Sequence, residues 1–350
     1  MKRALLLVNL GTPDSPNKKD VKRYLNEFLL DPDVLDIPWA LRQILVRRII
    51  VPRRAPFSSK MYQGIWTDKG SPLMFHTQDL AEEMAKLLEG EIDVDFAMRY
   101  QNPSLKNVLS RFEKKGVEEI LLLPLFPQYA RATSGSIISR VAELTSKWKK
   151  EPKVSVIKQF ATMPEMIETF AKNGSEAHNY DHVLFSFHGL PQKNLISQDP
   201  SKRCLASPNC CENRPLSDNC YRAHCLATAN AIVKKLDLDS AKYTVCFQSR
   251  LGRKEWLKPY ALETMESLVK NGVKSLLVFS PSFVCDCLET LHEIEIEFKE
   301  EFIKMGGTKL DLVPSLNLDP IWVKGLANLV IKQLSPGQAS LRCLSHESSH

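Results

Sequence analysis

Apolar residues fall along the chain in two alternating patterns. Short continuous apolar runs at residues 5–9, 94–98, 120–125, 154–158, 183–187, 244–248 and 276–279 read as strands buried on both faces. Between them, at 21–30, 80–88, 105–114, 164–172, 225–236 and 257–270, apolar positions recur at helical spacing. This alternation predicts an α/β protein with parallel sheets covered by helices. Polarity rises at Lys149-Lys-Glu-Pro152, which sets the boundary between an N-terminal half, 1–152, and a C-terminal half, 153–318, followed by a last helix at 319–333. Residues 334–350 carry Ser, Gly and Gln with no apolar period and are expected to form a disordered tail.

The run 183–191, Val-Leu-Phe-Ser-Phe-His-Gly-Leu-Pro, stops abruptly at Gly189 and Pro191. A buried strand that ends this way delivers His188 to a sheet edge, where open α/β sheets bind their ligands. The same plan occurs earlier. Leu7-Val-Asn-Leu-Gly-Thr-Pro13 parallels Phe185-Ser-Phe-His-Gly-Leu-Pro191, with Leu10 opposite His188. Likewise, Gly116-Val-Glu-Glu-Ile-Leu-Leu-Leu123 parallels Gly272-Val-Lys-Ser-Leu-Leu-Val-Phe279, and Thr133 then falls opposite Glu289. A duplicated unit of which one copy kept its chemistry gives this pattern, and so does convergent strand-and-turn chemistry.

Composition narrows the class. With 43% hydrophobic and 25% charged residues the chain reads as an ordinary globular protein. The apolar run at 4–10 is too short for a signal peptide and no run approaches a membrane span, so a cytoplasmic location is expected. A net charge of +6 without a dense basic run gives no sign of a nucleic-acid partner. No glycine-rich phosphate loop occurs, so no nucleotide is expected either. Segment 38–62 departs from the alternation. It mixes Trp39, Leu41, Ile44, Leu45, Ile49, Ile50 and Val51 with five arginines, at 42, 47, 48, 53 and 54, a composition suited to a lipid interface, an anionic amphiphile or a core helix with a basic outer face.

Candidate chemistry gathers after the strand at 276–279. Within 280–297, Asp286, Glu289, Glu293 and Glu297 recur at steps of three or four residues beside His292, which puts carboxylates on one helical face. Glu289 could meet His188 across the crevice, and that pair suits a divalent cation such as Fe²⁺ or a proton transfer. A second concentration is of thiols. Five of nine cysteines, Cys204, Cys210, Cys211, Cys220 and Cys225, lie among polar, turn-rich residues, where core packing does not explain them. Structural zinc is one reading, although paired Cys-x-x-Cys knuckles are missing.

Three motifs carry a resemblance: Phe185-Ser-Phe-His-Gly-Leu-Pro191, Cys246-Phe-Gln-Ser-Arg-Leu-Gly-Arg-Lys-Glu-Trp-Leu-Lys-Pro259 and Ser282-Phe-Val-Cys-Asp-Cys-Leu-Glu-Thr-Leu-His-Glu-Ile294. They resemble the motifs of ferrochelatases, which insert Fe²⁺ into a porphyrin to make haem. The likeness extends through Val8-Asn-Leu-Gly-Thr-Pro13, Phe96-Ala-Met-Arg-Tyr100, Phe126-Pro-Gln-Tyr129 and Leu316-Asn-Leu-Asp-Pro320. It implies two Rossmann-like halves with parallel sheets around a porphyrin cleft, with 38–62 as an apolar lip in weak contact with a membrane. By position, His188 and Glu289 take the catalytic roles and bind the substrate Fe²⁺, while Glu293 and Glu297 extend a metal route. Arg99, Tyr100, Phe126, Tyr129, Trp256 and Phe283 fall at porphyrin contacts, with protoporphyrin IX the expected substrate; a chelatase for Co²⁺ or Ni²⁺ is the alternative. Cys287 stands where the family often has histidine. Some bacterial members also carry a [2Fe–2S] cluster on an internal cysteine-rich insertion, which implies Cys204, Cys211, Cys220 and Cys225 as ligands, with Cys210 able to replace Cys211.

Overall fold

A computed structural model describes residues 2–334 except 200, 208, 213, 251 and 253; of the tail expected at 334–350, Leu334 instead ends the last helix and the rest lies outside the described residues. Eight strands form two parallel four-stranded sheets. The first contains β1 (Arg3–Gly11), β2 (Asp93–Tyr100), β3 (Glu119–Pro124) and β4 (Lys153–Val156), in the order β2-β1-β3-β4. The second contains β5 (His182–His188), β6 (Tyr243–Gln248), β7 (Ser275–Phe279) and β8 (Lys309–Leu312), in the order β6-β5-β7-β8. Both sheets thus have one topology. The two echoes also share one register, because Leu7 pairs with Leu123 as Phe185 pairs with Phe279. Gly116 and Gly272, which open the second echo, both adopt positive φ, +70° and +91°, the left-handed turn that ends a helix before the next strand.

Central strands are apolar throughout because helices cover both faces: Ala4–Val8 on β1 and Val183–Phe187 on β5 are essentially inaccessible. Helix starts follow local chemistry. Asn17 caps Lys18–Leu29 by accepting from the backbone of Lys19 and Asp20 at 3.0 Å each, and Ser104 caps Leu105–Lys115. The last helix, Pro320–Leu334, packs against both Pro164–Asn173 and Pro72–Leu87, with Trp322 fully buried. In each sheet the connection from the first strand runs to one neighbour and then to the other side, so the topological switch points lie at the carboxyl ends of β1 and β5. His188 is the last residue of β5.

Some boundaries differ from expectation for identifiable reasons. The helix expected from 257 begins at Ala261, because residues 256–260 form a loop through Pro259 that bridges back to Pro191, just beyond β5, and to Phe247 of β6. The helix expected from Cys225 begins a turn earlier, at Tyr221, with Cys220 as its N-cap. The acidic run at 289–298 is a π-helix rather than an α-helix.

Candidate active site

His188 is half-buried, and hydrogen bonds fix its ring and its backbone. Nδ1 lies 2.7 Å from the Gly189 carbonyl oxygen. A carbonyl only accepts, so Nδ1 carries the proton and the lone pair of Nε2 is left for a proton or a metal. The ring stands 6.4 Å, centroid to centroid, from both Trp256 and Phe283. Trp256 is held in turn by its amide donating to the Tyr260 hydroxyl at 3.3 Å and its carbonyl accepting from Gln192 at 3.0 Å. Gly189 permits this close assembly. A Cβ there would lie 2.7 Å from the Gln248 carbonyl oxygen and 3.2 Å from the Trp256 ring.

The acidic row is built by the π-helix Glu289–Phe298. Its Glu289, Glu293 and Glu297 are half-buried while Glu295 and Ile296 face solvent. Asp286 is not part of the row; it sits in the preceding loop, where it exchanges hydrogen bonds with Asn317 at 3.0 and 2.8 Å. Glu293 accepts from Gln248 at 2.9 Å and Ser249 at 2.6 Å. Burial raises its pKa above the ordinary 4.5; the two hydrogen bonds and nearby His188 oppose that rise, and the charge of Glu289 adds to it. No hydrogen bond or ion pair among the described residues joins His188 to Glu289. Burial, with the charge of Glu289 adding to it, pushes up the phenols of Tyr24 and Tyr62 in the N-terminal half. His292 Nδ1 is 3.6 Å from Glu297, an ion pair only when the ring is protonated.

The remaining expected contacts lie in the N-terminal half. Tyr100 is fully buried and donates to Asp31 at 2.8 Å, and Ser136 donates to the same carboxylate at 2.7 Å. Arg99 pairs with Asp31, donates to Ser136 at 2.7 Å and lies over the Tyr100 ring at 4.6 Å. This buried network absorbs both residues. Phe126 packs beside the Leu105–Lys115 helix, and the half-buried Tyr129 donates its amide to His224 Nδ1 at 3.2 Å. Trp256 and Phe283 are therefore the expected contacts that the structure brings beside His188.

Comparison with known proteins decides the family. The ferrochelatase family model matches residues 2–334. The chain is 42% identical to the ferrochelatase of Bdellovibrio bacteriovorus, covering 94% of this chain and 98% of that one. It is 42% identical to the ferrochelatase of Pseudomonas fluorescens, covering 93% and 96%, and 41% identical to that of Legionella pneumophila, covering 95% and 100%. The chain belongs to the ferrochelatase family. It is an enzyme that inserts Fe²⁺ into a porphyrin, forming haem and releasing two protons. Two solved structures share its fold: SirB from Bacillus subtilis with Fe³⁺, at TM-score 0.55 and 13% identity over 96% of each chain, and the sirohydrochlorin chelatase SirB from Bacillus subtilis subspecies spizizenii in complex with cobalt, at TM-score 0.54 and 12% identity over 95% and 96%.

Two further regions frame this ferrochelatase-family site. Segment 38–62 folds as the helix Trp39–Ile44, a π-helical stretch Leu45–Ile50 and the helix Val51–Ile65. Trp39 is 70% exposed and Ile44 59%, with Leu41, Ile49 and Phe57 also exposed beside Arg47, Arg48 and Arg53. Arg42 points the other way; it is buried and donates to the carbonyls of Leu35 and Ile37 at 3.2 Å each. The inner side of the segment packs on Tyr24 and Tyr100 and on Leu288 and Leu291 beside the acidic row. No helix among the described residues is long and apolar enough to cross a membrane.

In the cysteine-rich segment, the neighbouring Cys204 and Cys211 pull the Cys220 thiol pKa down, and the sulphurs of Cys210 and Cys211 are 3.8 Å apart. Adjacent side chains diverge in extended chain, but residues 209–212 form a turn, which brings these two sulphurs together. Cys225 is fully buried and paired with Tyr221. Among the described residues no three His, Cys, Asp or Glu side chains close on one point as a metal site does.

Proposed function

We propose that His188 Nε2 accepts the pyrrole protons as Fe²⁺ enters the macrocycle, with Glu289 as its partner carboxylate and Glu293 and Glu297 forming the approach for the metal. The observation that carries this reading is the Nδ1 proton tied to the Gly189 carbonyl at 2.7 Å, which leaves a basic nitrogen free between two aromatic rings. Both pyrrole protons must leave for the porphyrin to bind the metal as a dianion, and His188 serves them in turn by passing each to solvent or to the acidic row. Glu293 suits that relay because burial favours its neutral form. Arg99, Tyr100, Phe126, Tyr129, Trp256 and Phe283 contact or back the macrocycle, taken as protoporphyrin IX. The test is Fe²⁺ insertion by His188→Ala and Glu289→Gln, scored beside circular dichroism. Turnover should fall at least about a hundredfold for the first and measurably for the second. Near-normal turnover by a folded variant removes that residue's role. Faster insertion of Co²⁺ or Ni²⁺ than of Fe²⁺ would favour the other chelatase reading, and coproporphyrin III in place of protoporphyrin IX tests the substrate.

Two accessory features belong to the same proposal. Exposed Trp39, Leu41, Ile44, Ile49 and Phe57 beside exposed arginines support weak attachment to the cytoplasmic face of an anionic membrane. The cysteine-rich segment supports a [2Fe–2S] cluster only once its thiols close on one point, which they do not do among the described residues; Cys204, Cys210, Cys211 and Cys220 are the donors it would draw on, in place of the expected Cys225, which lies in the core. When bound, the cluster supplies a one-electron couple and a tie across the segment. Zinc on the same thiols is the competing reading.

A further inference from the structure

The helix Tyr221–Leu236 begins at the cysteine-rich segment and packs on the helix Pro164–Asn173. Its N-cap is Cys220, already in contact with Cys204 and Cys211. The next residue, Tyr221, is buried and donates its hydroxyl proton to the His188 carbonyl oxygen at 2.7 Å. The His188 amide donates to Ser282 Oγ at 3.2 Å, and Ser282 Oγ lies 3.3 Å from the Tyr221 oxygen. Tyr221 has one proton and gives it to His188, so Ser282 is the donor in that last contact. The three bonds close a ring around the peptide groups of the proposed base. One turn on, His224 accepts the Tyr129 amide at 3.2 Å and its other ring nitrogen meets the Leu216 carbonyl at 3.0 Å. Thr228 accepts from Gln128 at 3.0 Å. The first two turns of one helix therefore touch the thiols, His188 and the N-terminal loop at 128–129.

We infer that Tyr221 is a positioning residue that couples the cysteine-rich segment to His188. Movement of Cys220, whatever its thiol holds, shifts the helix start, and the Tyr221 bond carries the shift to the His188 backbone. The inference rests on His188 being the base, and His188→Ala tests that part separately. Tyr221→Phe removes the hydroxyl and keeps the ring. It should lower kcat for Fe²⁺ insertion about tenfold, since small misplacements of a reacting group are costly, with porphyrin KM unchanged and the acid limb of the kcat profile displaced. Ser282→Ala should do the same, and the double variant should be no worse than either, because the ring acts as one unit. Cys220→Ser, which keeps a good N-cap, should lower kcat in the wild-type background and have no further effect on Tyr221→Phe. Nitrogen-15 spectra of labelled histidine should show the fixed Nδ1–H tautomer only while the ring is intact. Unchanged kcat in folded Tyr221→Phe and Ser282→Ala, or losses from Cys220→Ser and Tyr221→Phe that multiply, would overturn the inference.

Discussion

Replacing Glu293 by Gln should make the protein more stable and less active. An amide oxygen can still accept from Gln248 and Ser249, at the 2.9 and 2.6 Å now spanned by the carboxylate, so the packing is kept and only the buried charge goes. Burial raises the pKa of Glu293 above 4.5. Below 4.5 the side chain is neutral in folded and unfolded chains alike and the variant should match the wild type. Above it the unfolded chain releases a proton that the folded chain keeps, so wild-type stability falls with rising pH until the raised pKa is passed, and then levels off. A buried charge short of a full partner costs about 1–3 kcal/mol, which at this chain length corresponds to a Tm difference of about 1–4 °C. Thermal melts of both proteins between pH 4 and pH 8 measure it. A Tm gain independent of pH, or a variant less stable at pH 7, would refute the account of Glu293 as an unevenly compensated buried acid. Fe²⁺ insertion on the same samples should fall if Glu293 lies on the metal route.

Trp39→Ser combined with Ile44→Ser should weaken binding to anionic vesicles about tenfold or more, because each side chain is over half exposed and offers about 1 kcal/mol or more of transfer energy; the melting temperature should stay put, and unchanged flotation would make the segment ordinary structure. Ile50 is a poorer probe, since it is partly buried against the cluster around Tyr62. Protein purified without oxygen should be reddish with two irons per chain and should bleach on reduction; Cys210→Ser should lose the iron and Cys225→Ser keep it, whereas a colourless protein with stoichiometric zinc would refute the cluster.

The strands were legible because each central one is covered on both faces, which writes a continuous apolar run into the sequence. β8, Lys309–Leu312, escaped notice because Lys309 and Asp311 leave only two apolar residues in it and no continuous run. His188 was legible for a similar reason: Gly189 must be small to pass Gln248 and Trp256, so the end of the run marks the site. Tyr24, Tyr62, Tyr221, Gln248 and Ser282 were not foreseen. They reach the site from separate elements, and nothing in local spacing distinguishes a tyrosine that bonds the His188 backbone from one that only fills the core. The α-helical reading of 289–297 placed the glutamates on one face correctly but included Asp286, because spacing alone does not reveal where a π-helix begins.

The matched registers of the two halves sharpen the difference between them. Leu10 occupies the strand-end place of His188, and its side chain packs onto the cluster of Tyr24, Tyr62 and Ile65 that supports the exposed lip. Thr133 occupies the place of Glu289, and both sit in π-helical segments, Arg131–Gly135 and Glu289–Phe298. At these matched places the N-terminal half has a leucine and a threonine where the C-terminal half has a histidine and a glutamate. What it presents to Glu289 is a pair of phenols, Tyr24 and Tyr62, held neutral by burial and by that same carboxylate. A phenol kept neutral puts no counter-charge beside Glu289, whereas an arginine in its place would pair with the carboxylate. If Glu289 acts as proposed, packing in the N-terminal half serves it by keeping two neutral phenols near the carboxylate, with Arg54 the cation that also acts on Tyr24.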